Sequence, residues 1–389
     1  MFQAIREFRI GRPQLFAGLL LLAFLVQCLW TAAGRRLSDL EYEYMASGYA
    51  AAPSHSQIHS PFTSIMAALP LRAVEGLKGI APASLKSALG IPRRWLVRLP
   101  FVIFGVWLGG ALWWVARRLF GNSGGYVAVA LYCFSPAMVM ISGNIGPEII
   151  LAWSSFGLIY TAIGVAHTIY APPRKWLPRI IILGTAIGIC LSTAVWSVTI
   201  VLLAFAFMLY LAPGRRRATL AVLLAASTIG IAILWLTTWL AGTSPLTRAL
   251  ITPQFTRELL ANFGFIFADA YGLAAYPVVT MAMKILLLVL IAAALTTYGS
   301  WARTRYFGNT APLATAFVVV LLFALVPPIH FWFATLGLSF IFLFIGGISA
   351  DLLETPWRGA VTLSLAAILT FRSVLALSLL YGWIHQNLI

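Results

Sequence analysis

Long apolar segments alternate with short polar ones along nearly the whole chain of 389 residues. A helix needs about 20 consecutive apolar residues to cross the hydrocarbon core of a bilayer. This pattern predicts an all-α polytopic membrane protein with about eleven transmembrane helices. The predicted spans cover residues 14–33, 95–116, 123–142, 147–170, 179–193, 195–212, 218–240, 276–298, 312–326, 329–350 and 360–383.

Two span boundaries need local evidence. Residues 179–212 form one apolar run that is too long for a single helix, and we place its break near Ser192, Thr193 and Ser197. Pro327-Pro328 separates the ninth span from the tenth, because proline cannot continue a helix interior.

The segment 34–94, between the first two spans, is the most polar part of the chain. Ser38 followed by Glu41 has the spacing of a capping box, which predicts a helix start. Ser60-Pro61 predicts a second one, because proline favours the first helical position. We expect two short helices that lie in the membrane interface.

Composition agrees with this assignment and excludes a soluble fold. Hydrophobic residues make up 61% of the chain and charged residues 9%, whereas soluble domains carry about 25% charged residues. The net charge of +16 is distributed in short clusters between apolar segments, so it does not predict nucleic-acid binding. Such clusters mark cytoplasmic loops and place the N-terminus in the cytoplasm of a plasma (inner) membrane protein.

This orientation puts seven of the ten acidic residues on the external side, a bias that topology rules do not explain. We therefore suspect an active site there, although acidic residues in a first helical turn also stabilise helices without any further role. Glu148 is the single charged residue between Arg118 and Arg174. The external acidic residues are Asp39, Glu41, Glu43, Glu75, Glu148, Glu258 and Asp269.

Six short motifs follow one another along the chain: Asp39-Leu40-Glu41, His59-Ser60-Pro61-Phe62, Arg98-Leu99-Pro100, Arg117-Arg118-Leu119-Phe120-Gly121, Phe134-Ser135-Pro136 and Gly146-Pro147-Glu148. Their order resembles the glycosyltransferase C superfamily. The similarity is to its protein O-mannosyltransferase-like branch (family 39-type), which also includes the lipid A aminoarabinose transferases. The usual adjacent Asp-Glu pair of that branch is split here by Leu40, and Glu148 stands where aspartate is commoner.

The resemblance implies a membrane glycosyltransferase that takes a sugar from a polyprenyl-phosphate donor and transfers it, with inversion, to a lipid, glycan or protein acceptor outside the membrane. Residues 1–240, with the loop 34–94, would form the catalytic module, and residues 241–389 would complete the donor-lipid and acceptor cavity. Asp39 or Glu41 would be the base, and Glu148 would orient the acceptor. The donor and its phosphate would be bound by Arg98, His59, Glu43 and Arg372.

Three points stay open at this level. A divalent metal ion, held by Glu148 and Asp39, would fit the same carboxylates as a pure acid–base mechanism. A transporter or lipid flippase is the alternative function, although such proteins often show internal repeats, and we find none here. A non-catalytic scaffold would leave the acidic bias unexplained. The sequence identifies neither the sugar nor the acceptor.

Overall fold

A computed structural model describes residues 12–50, 60–78, 94–170, 172, 176–194, 197–241, 277–301, 306–325 and 335–388. Every regular element in these ranges is a helix, and seven helices are long and apolar enough to cross a membrane. The predicted all-helical polytopic class is confirmed, and the number of eleven spans stays a prediction. The helices are α1 (Arg12–Gly34), α2 (Asp39–Ala50), α3 (Pro61–Lys78), α4 (Arg94–Cys133), α5 (Pro136–Ser142), α6 (Pro147–Thr168), α7 (Leu177–Thr193), α8 (Val198–Leu211), α9 (Arg216–Leu240), α10 (Pro277–Trp301), α11 (Tyr306–Leu325), α12 (Thr335–Leu353) and α13 (Arg358–Leu388).

The breaks between helices follow from single residues. Gly121 divides α4 with φ 80° and ψ −173°, a conformation that L side chains rarely adopt. The helix α7 ends at Thr193 and α8 begins at Val198, which confirms the break predicted in the apolar run 179–212.

The third predicted span, 123–142, was expected to be one helix, and this was wrong. Pro136 cannot donate the backbone hydrogen bond that would continue α4, so the chain restarts as α5 with Ser135 as its N-cap. The Ser135 hydroxyl accepts from the Met138 N–H at 3.3 Å. Gln27 of α1 donates to the Cys133 carbonyl at 3.2 Å, at the end of α4.

The helix α12 lies at the centre of the helix bundle, where it packs against α4, α6 and α11. Its residues Thr335–Ala350 are all buried. Phe340 packs against Phe156 of α6 with ring centroids 5.4 Å apart. Gly346 passes close to Gly124 of α4, where an added Cβ would lie 2.7 Å from the Gly124 carbonyl oxygen. Helix α12, from the C-terminal region of the chain, is thus a core helix against which helices of the N-terminal region pack.

The two helices predicted in the first polar segment are present as α2 and α3, and they pack against each other. The helix α3 also contacts α4, α7 and α9. Its contacts attach the α2–α3 pair to one end of the bundle. That end, which we call the carboxylate end, also carries the turn 143–146 between α5 and α6.

Candidate active site

The carboxylate end is built around the start of α2, where Ser38 and Glu41 cap the helix reciprocally. The Ser38 N–H donates to Glu41 Oε2 at 2.8 Å, and the Glu41 N–H donates to Ser38 Oγ at 3.3 Å. This is the capping box that the Ser38–Glu41 spacing predicts. It turns the Glu41 side chain inward, and this residue is 2% exposed.

Arg98 of α4 forms a two-pronged ion pair with Glu41. Its Nε donates to Oε1 at 2.9 Å and its Nη2 donates to Oε2 at 2.8 Å. Arg98 is fully buried, so this pair is shielded from solvent. Bidentate pairing of this kind fixes orientation as well as charge.

The remaining donors of Arg98 cap the end of α1. Its Nη1 donates to the carbonyls of Ala32 and Arg35 at 2.7 and 2.8 Å, and its Nη2 donates to that of Arg36 at 3.0 Å. A guanidinium has five N–H donors, and all five are used. This geometry argues against the predicted phosphate contact by Arg98, because a phosphate would have to displace these partners.

Glu41 also binds the turn that precedes α6. The Ile145 N–H donates to Glu41 Oε1 at 3.0 Å. Burial alone would raise the pKa of Glu41, but the hydrogen bonds and charge of Arg98, together with the N–H groups of Ser38 and Ile145, lower it below its ordinary value. Glu41 is therefore an ionised carboxylate whose acceptor sites are occupied, and it is poorly suited to take a proton.

A second link joins the two acidic segments. Arg35, just after α1, donates through Nη1 to the Asn144 side-chain oxygen at 2.5 Å. Together with the Glu41–Ile145 bond, this contact holds the turn 143–146 against the start of α2. The sequence motifs gave no role to Arg35 or Asn144, although Asn144 lies within the Gly-rich turn that carries Glu148.

Glu148 is the second residue of α6 and folds back over the start of its own helix. The N-cap residue Gly146 offers no side-chain cap, and the Glu148 carboxylate lies in the space that a Cβ at Gly146 would occupy. Burial raises the pKa of the Tyr44 hydroxyl above its ordinary range, and the charges of Glu148 and Glu43 add to this rise. The Glu41–Ile145 bond shows that the structure brings the two acidic segments together.

Asp39 and Glu43 occupy the other face of α2. They are four residues apart, and this spacing puts them on the same side of a helix. Asp39 is exposed and Glu43 is half-buried, whereas Glu41, Tyr44 and Met45 are buried. Asp39 is therefore the carboxylate of the predicted pair that a substrate can reach.

The remaining predicted substrate contacts are Arg372 and His59. Arg372 of α13 is 1% exposed, and its guanidinium lies 5.7 Å from the ring centroid of Phe342 on α12. His59 lies outside the described residues. Within the described ranges, no three His, Cys, Asp or Glu side chains converge in a way that could hold a metal ion. Among the described residues, Glu148 and Asp39 therefore have no third ligand of this kind beside them, and the pair alone does not fit the predicted metal ion.

Comparison with known proteins gives a family match and a fold match. Residues 83–241 match the family described as dolichyl-phosphate-mannose-protein mannosyltransferase. No protein of the curated collection matches the chain. The fold is similar to ArnT from Cupriavidus metallidurans bound to undecaprenyl phosphate, with a TM-score of 0.55 and 12% identity. That match covers 96% of this chain and 76% of ArnT, and the apo ArnT structure gives the same coverage with a TM-score of 0.54.

The family match includes Arg98, the break at Gly121 and the Gly146-Pro147-Glu148 turn, which are motifs on which the sequence resemblance rests. The ArnT-like fold extends over almost the whole chain. Together they confirm that resemblance: residues 83–241 are similar to the dolichyl-phosphate-mannose-protein mannosyltransferase family, and the fold is similar to that of ArnT.

Proposed function

We propose that this protein transfers a sugar from a polyprenyl-phosphate carrier to a hydroxyl-bearing lipid, glycan or protein acceptor on the extracytoplasmic face of the plasma (inner) membrane. The observation that carries the proposal is the Glu41 carboxylate, which binds Arg98 and the Ile145 N–H at once. It gathers α1, α2, α4 and the start of α6 into one site. Undecaprenyl phosphate bound to ArnT supports a carrier of this class.

Asp39 is the proposed base. It is the exposed carboxylate at the first turn of α2, while the acceptor sites of Glu41 are occupied by Arg98, Ser38 and Ile145. In the transfer, Asp39 takes the proton of the acceptor hydroxyl as its oxygen bonds to the anomeric carbon of the sugar. The bond between that carbon and the phosphate oxygen breaks, and the lipid phosphate leaves with the electron pair. Attack from the face opposite the phosphate gives inversion.

The remaining carboxylates hold substrate. Glu148, half-buried at the start of α6, orients the acceptor, and Glu43 contacts the sugar from the same face of α2 as Asp39. Cationic groups must stabilise the leaving phosphate. Because all five donors of Arg98 are engaged by four residues, we assign that role to His59 and Arg372 and give Arg98 a positioning role.

The proposed orientation places the carboxylate end outside. The basic loops predicted on the cytoplasmic side include Arg117 and Arg118 at the Gly121 turn, and Arg215 to Arg217 at the start of α9. These turns follow helices that begin at the carboxylate end. A cysteine introduced at exposed Asp39 should react with an impermeant maleimide in intact cells, and one introduced at exposed Arg216 should react after lysis alone.

The function is tested with the purified chain in proteoliposomes. Radiolabelled undecaprenyl-phosphate-linked hexoses and pentoses serve as donors, and membrane lipid, glycan and peptide fractions serve as acceptors. We expect label in an acceptor together with free undecaprenyl phosphate. Label that crosses the bilayer on its intact carrier, without sugar transfer, would instead support a flippase and overturn the proposal.

A further inference from the structure

Gly146 has no side chain where the Glu148 carboxylate needs space. A Cβ added at Gly146 would collide with Glu148 Oε2 and lie 3.1 Å from its Cδ. The carboxylate thus occupies the volume that any other residue at position 146 would fill.

The backbone does not require this glycine. Gly146 has φ −166° and ψ 163°, which is extended backbone that any residue adopts. The group that an alanine would meet is the far end of a flexible side chain. An alanine here therefore moves the Glu148 carboxylate without straining the turn.

The rest of the turn is fixed from two sides. The Ile145 N–H donates to Glu41, and Asn144 accepts from Arg35. The Arg98–Glu41 pair anchors the first of these contacts in the buried core. Because these contacts hold Asn144 and Ile145 in place, the position of the Glu148 carboxylate depends on the free space at Gly146.

We propose that Gly146 is a positioning residue of the transferase site: its missing side chain lets the Glu148 carboxylate fold back to the start of α6. The proposal rests on the proposed function, in which Glu148 orients the acceptor. The space at Gly146 also suits a glutamate at position 148, because its side chain is longer than that of an aspartate and needs room to turn back.

The kinetic test compares Gly146→Ala, Glu148→Asp and the double variant in proteoliposomes, with release of undecaprenyl phosphate from the labelled donor as the readout. Gly146→Ala should lower kcat about tenfold or more with little change in KM for the donor, because displacement of a positioned group by about 1 Å can cost 100-fold. In the Glu148→Asp background, the same change should cost less than about twofold, since the shorter carboxylate does not reach position 146.

The matched control is Gly157→Ala on the same helix, where an added Cβ meets nothing within 4 Å. It should leave kcat unchanged. A Gly146→Ala protein with full kcat, or with the same loss in both backgrounds, would overturn the inference.

A chemical test does not depend on turnover. A hydrophobic carbodiimide reacts with buried carboxyl groups, and mass spectrometry gives the labelled fraction of Glu148. Displacement of the Glu148 carboxylate should speed its labelling several-fold in Gly146→Ala, whereas the labelling rate in Gly157→Ala should match that of the wild type. Equal labelling in all three proteins would contradict the inference, whereas faster labelling of Gly146→Ala in a protein that transfers no sugar would count against the proposed function alone.

Discussion

At the residue scale, the site depends on one guanidinium and one carboxylate. Arg98 uses five donors on Glu41 and on the end of α1, and Glu41 adds bonds to Ser38 and Ile145. A buried pair of this kind is costly to break, because its removal on one side leaves an uncompensated charge. The pair is therefore a positioning element on which Asp39 and Glu148 both depend.

Arg98→Lys should destabilise the protein. A lysine keeps the positive charge but cannot reproduce the two-pronged bond or cap three carbonyls, so we expect a part of the about 3–5 kcal/mol that complete loss of one partner of a buried pair costs. The measurement is the thermal unfolding midpoint in detergent, with Arg94→Lys in the first turn of the same helix as control. An unchanged midpoint with a raised KM for the donor would instead support phosphate binding by Arg98.

The stability of the protein should fall in acid because of Glu41. Its folded-state pKa is lowered from the ordinary 4.5, so the folded protein binds fewer protons there than the unfolded chain. This contribution is complete above pH 4.5 and is lost as the pH falls through the folded-state pKa. The thermal unfolding midpoint of the wild type should drop between pH 7 and pH 3, and that of Glu41→Gln should drop less. Parallel curves for the two proteins would contradict a lowered pKa of Glu41 in the folded state.

At the element scale, local signals in the sequence located most helix starts. The capping box at Ser38 and the Ser60-Pro61 start gave α2 and α3, and Thr193–Ser197 gave the break before α8. The break at Pro136 was missed because the apolar run continues through it. Hydropathy measures transfer into the bilayer, and it carries no information about a lost backbone donor.

The close contact between α2 and α3 should tolerate no side chain at Gly48. A Cβ there would overlap the backbone carbonyl of Ser64 on α3, and a backbone atom cannot move aside. Overpacking of this kind costs about 1–3 kcal/mol. Gly48→Ala should lower the unfolding midpoint and the transfer rate, while Gly18→Ala on α1, which meets nothing within 4 Å, should change neither.

At the scale of the whole molecule, the sequence predicted the all-helical membrane class, the resemblance that the comparisons confirm, and the two acidic segments that meet. It did not predict how they meet. Arg98 was expected to bind phosphate because a short motif does not reveal the partners of its residues. The contact between Arg35 and Asn144 joins residues that lie 109 positions apart in the chain, so no local motif contains both. Long-range pairing of this kind follows from the packing of α1, α4 and α5, which no local pattern encodes.

The proposed mechanism requires Asp39 to remove the acceptor proton in a sugar transfer from polyprenyl phosphate. The measurement that tests this role is the initial rate of undecaprenyl phosphate release by equal amounts of folded wild type, Asp39→Asn and Glu354→Gln. Glu354→Gln removes a carboxylate at the opposite end of the bundle and serves as the control. Loss of a general base costs about 100-fold or more, so the rate of Asp39→Asn should fall to this extent and that of Glu354→Gln should match the wild type. An Asp39→Asn protein that keeps the wild-type rate would contradict the role of Asp39 as the base.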